Sequence, residues 1–402
     1  MSLWFTGTAV QPQLTLEWRS GVGVASWLTI AVQVGFVAGA LIISVFNLSD
    51  IFRPTRVFVV CALAAAAANY SFVWAAERHQ IMLAILLRAL TGAFLAGTYP
   101  TGMKILAGWF KQGRGLALGI MVGALAFGSA SPHAVNALGG IGWQTVVLVS
   151  SVAAVLAALI AAVGVKEGPY AAPQPPFDYR KIGDTFRNRK LRLANLGYLG
   201  HMWELYAMWA WIAVIVSGPL FQRWKDAGNP TIFLAPAGFV PPFVRTSEAI
   251  AFYVIAAGAI GCIWAGRVSD RAGATVQQRA RVTIISMAVS GACCVLAAIF
   301  FNHFYALIII ALIWGVAIVA DSAQFSAIVS EVSDPSYVGT ALTMQTALGF
   351  LLTAFSIRAI AWVGTSYGWR WAAVSMAIGP LLGIVAMLGV LKAPQMNTDL
   401  SD

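Results

Sequence analysis

The chain has 402 residues, of which 59% are hydrophobic and only 10% are Asp, Glu, Lys or Arg. Soluble globular domains carry about 25% charged residues, so this composition excludes a water-soluble fold. One membrane-spanning helix needs about 20 mainly apolar residues, and the length therefore allows about a dozen spans joined by short loops. We accordingly attribute the formal charge of +10 to basic loops that orient the chain in the membrane. We expect a lipid bilayer as partner, and no nucleic acid.

The sequence lacks the motifs of the common enzyme and metal sites. The four cysteines fall inside apolar stretches without the spacing of metal ligands, which is typical of small packing residues. No Lys follows a Gly, which excludes a Walker-type phosphate loop, and neither a zinc-protease helix motif nor a serine nucleophile elbow is present. We therefore predict no catalytic residue, no metal and no cofactor, and we do not expect an enzyme.

Eleven apolar runs, separated by charged or Pro- and Gly-rich breaks, predict membrane-spanning helices. They lie near residues 21–46, 57–75, 81–103, 114–134, 143–164, 192–217, 247–266, 281–301, 304–326, 338–362 and 370–391. Residues 1–13 ahead of them are apolar and helix-like but too short to cross about 30 Å at 1.5 Å per residue. We expect this segment to be the second half of a first span, with the natural start upstream; the alternative is a re-entrant or interfacial segment.

Basic residues are distributed unequally between the two sides of the membrane. With twelve spans, 17 of the Lys and Arg residues fall on one set of loops and six on the other. The six are Arg19, Arg78, Arg223, Lys225, Arg245 and Arg370. Cytoplasmic loops carry the excess of Lys and Arg. We therefore predict that the loops with 17 basic residues, here called the basic side, and both termini face the cytoplasm of an inner membrane.

Two breaks between the predicted spans are longer than the others. Residues 166–190 on the basic side open with four prolines and continue as FDYRKIGDTFRNRK, which predicts a basic amphipathic helix on the membrane surface. Residues 218–246 form a long Pro-rich loop on the opposite side. We interpret this loop as a connector, or alternatively as a lid over the external mouth.

The two halves of the chain repeat each other. Asp50 and Asp270 both follow a span and begin a basic loop, and Gly-Trp pairs at 142 and 368 open the last span of each half. The run RGLA from residue 114 corresponds to VGTA from residue 338, and the three offsets are 220, 224 and 226 residues. This repeat predicts an all-α membrane fold of two pseudo-symmetric six-helix bundles. The bundles are residues 1–165 and 192–392, joined by a cytoplasmic linker at 166–191 and followed by a tail at 393–402.

One basic loop carries a recognisable motif. Residues 266–273, GRVSDRAG, match the pattern G-x-x-x-D-R-x-G and follow the second span of their half. In this the chain resembles the major facilitator superfamily, and the run RALTG at 88–92 is similar to that family's R-x-x-x-G motif. The resemblance covers the whole chain. It implies the two-bundle fold and secondary transport by alternating access, and we expect a monomer.

The motif also predicts a contact between the halves. An Asp at the end of one span can accept backbone N–H groups at the start of a helix from the other half, where the helix dipole favours negative charge. The first loop keeps an Asp and two Arg residues but lacks the leading Gly and the Asp-Arg pair, so its contact should be looser. The predicted gating residues are Asp50, Arg53, Gly266, Asp270, Arg271 and Gly273.

Five ionisable side chains fall well within predicted spans, namely Arg88, His201, Glu204, Asp321 and Arg358. A lone Asp, Lys or Arg at a helix centre costs about 2.5–3.5 kcal/mol, so each should pair or face a watery cavity. Helical spacing aligns His201, Glu204, Met208 and Trp211 on one stripe, which we predict to face the cavity and to handle protons through Glu204. The alternative is a buried polar tie between helices. We place Asp321 near the basic-side end of the tenth span, as a cap, an ion pair or a proton site.

Two arginines suggest an anion site. A guanidinium stays charged and offers a planar donor fork to carboxylates and oxyanions, so Arg88 and Arg358 are predicted to clamp an anionic substrate between the halves. The alternatives are a helix-tying network for Arg88 and an outward-reaching side chain for Arg358. His133, beside Pro132, is interpreted as a satisfied helix-end histidine.

The leading functional hypothesis is proton-coupled uptake, by symport, of a small organic or inorganic anion. Within transport, the alternative is proton-coupled efflux of a hydrophobic drug-like compound, which the aromatic seventh span permits. From another class, the alternative is a non-transporting receptor or scaffold, which would need a sizeable signalling domain that this sequence lacks.

The distribution of basic residues yields a test of topology. A reporter fused near Met396 should be active only if it functions in the cytoplasm, because an even number of spans returns the chain to the side on which it begins. The matched control is the same reporter inserted between Arg223 and Arg245. Activity of an exclusively external reporter at the C-terminus would contradict the span assignment.

Overall fold

The computed structural model describes residues 1–20, 22–46, 48–110, 113–139, 141–170, 178–228, 242–271, 273, 275–334 and 337–393. Within these residues the chain is helical and contains no strand. Eleven described segments are long and apolar enough to cross a membrane, at positions that match the eleven predicted spans. The prediction of an all-α membrane fold is therefore confirmed.

The first half of the chain begins with a helix that precedes the eleven spans. Its helices are α1 (Ser2–Glu17), α2 (Val22–Val45), α3 (Leu48–Ile51), α4 (Pro54–Glu77), α5 (Ile81–Leu95), α6 (Tyr99–Ala107), α7 (Arg114–Ala137) and α8 (Trp143–Gly164). Helix α1 packs against α2, α7 and α8. The helix expected over residues 1–13 is thus present, four residues longer at its C-terminal end.

The second half follows a short 3₁₀ turn at Tyr179–Lys181 and repeats the pattern of long helices. Its helices are α9 (Ile182–Arg187), α10 (Arg189–Asp226), α11 (Pro242–Arg271), α12 (Val276–Ile299), α13 (Phe304–Ala320), α14 (Ser322–Val332), α15 (Val338–Tyr367), α16 (Trp369–Met376) and α17 (Ile378–Lys392). Helix α10 continues as far as Asp226, so the first part of the predicted external loop is helical. Residues 229–241 of that loop lie outside the described residues.

Three spans consist of two consecutive helices. The breaks fall between α5 and α6, between α13 and α14, and between α16 and α17. Pro100 and Pro380 follow two of these breaks, and a proline lacks the backbone N–H and clashes with the carbonyl four residues earlier. Asp321 lies at the remaining break, between α13 and α14. An acidic side chain is therefore located where a helix is interrupted inside the membrane.

Two helix pairs join the halves. Helix α2 packs on α15, and α7 packs on α11. Along the first pair, Ser44 lies 2.8 Å from Thr343, and the rings of Phe36 and Phe350 are 4.5 Å apart. Residue numbers fall from Ser44 to Phe36 along α2 while they rise from Thr343 to Phe350 along α15, so the paired helices are antiparallel. A single apolar core extends across both halves through them.

Close helix approach within the first half depends on glycine. Helix α2 packs on α5, and a Cβ added at Gly35 or Gly92 would collide with the backbone of the other helix, at Ala89 and Val32 respectively. Small residues at such contacts let two backbones approach in lipid, where packing rather than water expulsion drives association. The glycine of the RALTG run thus serves helix packing.

Candidate functional site

Six aromatic side chains meet between the two halves. Trp4 and Phe5 come from α1, Phe36 from α2, Tyr206 and Trp209 from α10, and Phe350 from α15. Trp4 contacts Phe36, Tyr206 and Phe350 at centroid distances of 4.9, 5.7 and 5.1 Å. All six side chains are buried. This group, here called the aromatic cluster, is the place where both halves contribute side chains to one centre.

Buried polar atoms accompany the aromatic cluster without partners of their own. The indole nitrogens of Trp4 and Trp209 have no hydrogen-bond partner in the described part of the chain. Both amide atoms of Gln33, three residues before Phe36 on α2, are also unpaired and wholly buried. Leaving a buried donor or acceptor unpaired costs about 1–3 kcal/mol. Such groups therefore call for an explanation, and a bound molecule is one.

Glu204 lies near the middle of α10 and is surrounded by neutral donors. Its carboxylate accepts hydrogen bonds from the indole N–H of Trp314 at 2.6 Å, the hydroxyl of Ser290 at 2.9 Å and the thiol of Cys294 at 3.2 Å. The residue is 1% exposed. No Lys or Arg is among its bonded partners in the described residues.

His201 and Asp321 form a second polar contact one turn from Glu204. His201 Nδ1 lies 2.9 Å from Asp321 Oδ1, which is the distance of an ion pair although the direction is not that of a hydrogen bond. On the other ring nitrogen, Nε2 lies 2.9 Å from the hydroxyl of Ser322. The second half thus brings together three of the predicted site residues, His201, Glu204 and Asp321.

The predicted orientation of the seventh-span stripe is wrong. Glu204 faces α12 and α13, and Trp211 donates to the carbonyl of Ile357 and packs on Trp369, so the stripe faces the interior of the second half. Tyr206 and Trp209 face the first half instead. Helical periodicity identified which residues share a face, but the neighbour of that face depends on how the helices pack.

The predicted position of Asp321 also needs correction. The tenth span extends over Phe304–Val332, further than the predicted end at 326, so Asp321 lies 11 residues from its basic-side end. At 1.5 Å per residue this is about 16 Å inside the span. Asp321 is therefore an interior residue of the span, at the break between α13 and α14 and in contact with His201, and does not lie near the basic-side end of the span.

Arg88 ties its own helix, α5, to three other helices of the first half, α1, α2 and α4. Its guanidinium donates to the carbonyl of Trp4 at 2.6 Å, to the carbonyl of Leu3 at 2.9 Å and to the side-chain oxygen of Asn69 at 2.6 Å, and its Nε donates to the carbonyl of Leu28 at 3.2 Å. The side chain is wholly buried. Four of its five N–H groups are thus used within the protein, which favours the helix-tying alternative.

Arg358 bonds to α2 two residues before the carbonyl that accepts from Arg88, and a clamp formed by the two arginines stays a prediction. Its side chain is exposed, and it donates to the hydroxyl of Ser26 at 3.3 Å. The contact links α15 to α2 across the halves, at the ends of these helices remote from the basic side. Its outward position agrees with the interfacial alternative.

The predicted contact of Asp270 with the other half is confirmed. Its carboxylate accepts the backbone N–H of Gly115 at 3.2 Å and of Leu116 at 2.8 Å, at the N-terminus of α7. Gly266 lies against the backbone of Gly115, and a Cβ there would collide with it. Gly273, just beyond α11, has a φ of +90°, a conformation that glycine adopts without strain. This arrangement is here called the Asp270 latch.

The other predicted gating residues contribute less to this contact. Arg53 precedes α4 and Arg271 ends α11, and both are exposed. Asp50 falls in α3, but its side chain lies outside the described residues. The second latch expected at Asp50 therefore stays a prediction.

Comparison with known families agrees with this architecture. A family model described as Major Facilitator Superfamily matches residues 1–275 and 237–401. The chain is a member of the major facilitator superfamily. Because this superfamily consists of transporters, the protein is a multi-pass membrane transporter. No match was found among curated proteins.

In this superfamily transporter, two functional candidates escaped the sequence analysis. Glu248 of α11 lies 2.5 Å from His133 of α7, across the halves. Arg279 of α12 binds Glu331 at 2.8 Å and Gln324 at 3.0 Å on the basic side of the second half. Glu248 and Arg279 each stand near a span end, where charged residues are ordinarily solvated. For the first pair, the sequence indicated only that His133 lies inside a neighbouring span and would need a partner there.

The Asp270 latch yields a test in this transporter. Asp270→Asn removes the negative charge that the N-terminus of α7 favours, so transport should slow several-fold while substrate binding is retained. Both are measured with a compound that raises the melting temperature of the purified protein. Glu167→Gln, an exposed neutralisation on the same side, is the control. Loss of binding together with transport would show that Asp270 builds the site or the fold.

Proposed function

We propose that this transporter works by alternating access and couples substrate movement to protons through Glu204. The observation that carries the proposal is a mid-span carboxylate enclosed by three neutral donors, with no cation among its bonded partners in the described residues. A carboxylate held in the membrane without a countercharge gains from taking up a proton. The same donors stabilise its charged form, so both states are accessible during a cycle.

His201 and Asp321 support proton transfer at the same place. His201 is one helical turn from Glu204 and touches Asp321 at the break between α13 and α14. Ionisable groups inside a transporter commonly mark proton relays, and broken helices form binding sites in such folds. Asp321 is therefore the second candidate for the coupling proton.

Replacing Glu204 tests the coupling. Glu204→Gln should abolish uphill accumulation in a proton gradient while leaving substrate exchange, because the amide keeps hydrogen bonding to Trp314 but cannot carry a proton. Glu17→Gln is a matched control, since Glu17 also accepts an indole N–H, from Trp143 at 2.7 Å, but is exposed. Accumulation is followed in vesicles with an imposed pH difference.

Survival of accumulation and of its pH dependence in Glu204→Gln would make Glu204 a structural tie. Asp321→Asn would then be the next variant to measure. Loss of exchange as well as accumulation would contradict the coupling role and indicate a broken site.

For the substrate, we propose an apolar compound that carries hydrogen-bonding groups, the class that the efflux hypothesis names. The aromatic cluster lies between the halves, and the unpaired atoms of Trp4, Trp209 and Gln33 offer it donors and an acceptor. Aromatic rings bind flat apolar molecules, and a few polar groups fix their orientation. Uptake of a small anion is the competing hypothesis, and it rests on Arg88 and Arg358.

The bonding of Arg88 weighs against the anion hypothesis. An anion could engage more than the one remaining N–H of its guanidinium only by displacing carbonyls of α1 and α2 or the side chain of Asn69. Each lost bond to a charged donor costs about 1.5–3 kcal/mol. Binding of an anion at Arg88 would therefore have to break hydrogen bonds that connect α5 to α1, α2 and α4.

The two substrate classes predict opposite results for two conservative variants. Trp4→Phe keeps an aromatic ring but removes the five-membered ring with its N–H, and it should weaken binding at least several-fold with a smaller fall in melting temperature than Arg88→Lys. Arg88→Lys loses the donor fork and should lower the melting temperature instead. Binding is measured with compounds found in a thermal-shift screen of a metabolite panel.

Trp362→Phe, a ring exposed to lipid, is the control for the tryptophan variant. If Arg88→Lys kept its melting temperature but bound an anion more weakly, and Trp4→Phe bound it normally, the anion hypothesis would replace ours. A panel hit that is anionic would point in the same direction.

We further propose, from the excess of Lys and Arg on the basic side, that both termini face the cytoplasm of an inner membrane.

A further inference from the structure

A buried acid–base pair joins the halves at the end of α7 that is remote from the Asp270 latch. His133 Nδ1 lies 2.5 Å from Glu248 Oε2, and the two side chains are 0% and 1% exposed. His133 belongs to α7 in the first half and Glu248 to α11 in the second. Removing one partner of a buried pair leaves the other without compensation, which is strongly destabilising. Each residue therefore holds the other in place.

The pair and the Asp270 latch sit on the same two helices, a membrane thickness apart. His133 lies 18 residues after Gly115 in α7, which is about 27 Å along a helix. The hydrocarbon core of a bilayer is about 30 Å thick. Between the two contacts, Gly119 and Gly123 of α7 lie against the backbone of Cys262 and Ala259 of α11. The interface between α7 and α11, here called the seam, is thus closed at both ends.

Alternating access requires the two halves to separate on one side at a time, so both contacts cannot persist through a cycle. We propose that His133 and Glu248 are positioning residues that form the gate on the side opposite the basic loops, and that their contact breaks whenever the transporter opens to that side. The proposal rests on the alternating access proposed above, but it is independent of Glu204 and of the substrate.

The chemistry of the pair suits a contact that opens and closes. When the seam opens, the imidazole and the carboxylate regain water, and when it closes, their mutual contact offsets the lost hydration. Nε2 of His133 has no hydrogen-bond partner in the described residues, so no described hydrogen bond other than that to Glu248 holds the ring. In the described part of the chain no backbone N–H donates to Glu248, whereas two donate to Asp270.

Side-specific labelling of a buried cysteine measures the opening directly. Ala251 is 0% exposed and lies three residues past Glu248 on α11. In an Ala251→Cys background, a membrane-impermeant maleimide added outside intact cells should react slowly while the gate is shut. The chain without Ala251→Cys corrects for its own cysteines, of which Cys262, Cys293 and Cys294 are buried.

Breaking the pair should open this side. Glu248→Gln and His133→Gln should each raise the labelling rate of the cysteine at least fivefold, whereas Asp270→Asn should lower it by favouring the state that is open to the basic side. Ser247→Ala is the matched control, because Ser247 is also buried but bonds only to Val244 of its own helix. Its labelling rate should equal that of the parent.

An exchange of the two residues separates gating from simple packing. The double variant His133→Glu with Glu248→His restores an acid–base pair across the seam, so its labelling rate should return towards that of the parent. A merely structural role would leave it as accessible as the single variants. Should the single variants not reach the membrane, the exchange variant decides alone: parental labelling supports the gate, and raised labelling overturns it.

The controls also distinguish the two proposals. Unchanged labelling in Glu248→Gln and His133→Gln, with Asp270→Asn still lowering the rate, would overturn the gate and leave alternating access intact. Unchanged labelling in all three variants, each folded with the parental melting temperature, would overturn alternating access itself and the gate with it.

Discussion

The bilayer supplies no hydrogen bonds, so the backbone groups and the ionisable side chains inside the spans need partners within the protein, and this constraint shapes the molecule. Arg88 meets it by donating to carbonyls of α1 and α2 and to Asn69 of α4. A charge that would be costly in lipid thereby becomes one of the links that hold α1 onto the rest of the first half. In the second half, Glu204 meets the same demand with three neutral donors.

The contacts between the halves follow a different rule. Along α7 and α11, glycines allow the backbones to approach, and polar contacts close the two ends at Asp270 and at the His133–Glu248 pair. Along α2 and α15, apolar rings fill the centre. The interface between α7 and α11 is stabilised at both ends only while both polar contacts exist. This arrangement agrees with the proposed alternating access, in which the halves separate on one side at a time.

Much of this architecture was predictable from the sequence. Runs of about 20 apolar residues located the eleven spans, because a helix must satisfy its own backbone in lipid. The internal repeat predicted two bundles, and the motif at residues 266–273 predicted that Asp270 would cap a helix of the other half, which it does at Gly115 and Leu116. The cost of charge in lipid also selected Arg88, Glu204, His201 and Asp321 as residues with partners.

Only the tertiary structure decided what those partners are. Helical period placed His201 and Glu204 on one face but could not say that α12 and α13, rather than the other half, cover it. The same holds for Arg88, whose acceptors are mostly backbone carbonyls that every sequence provides and no pattern marks. No sequence pattern singled out Glu248, and only the packing of α7 on α11 places His133 against it. Sequence determined the cost of each polar group in the membrane, whereas helix packing decided which atoms compensate it, because those atoms are distant along the chain and meet only when the helices assemble.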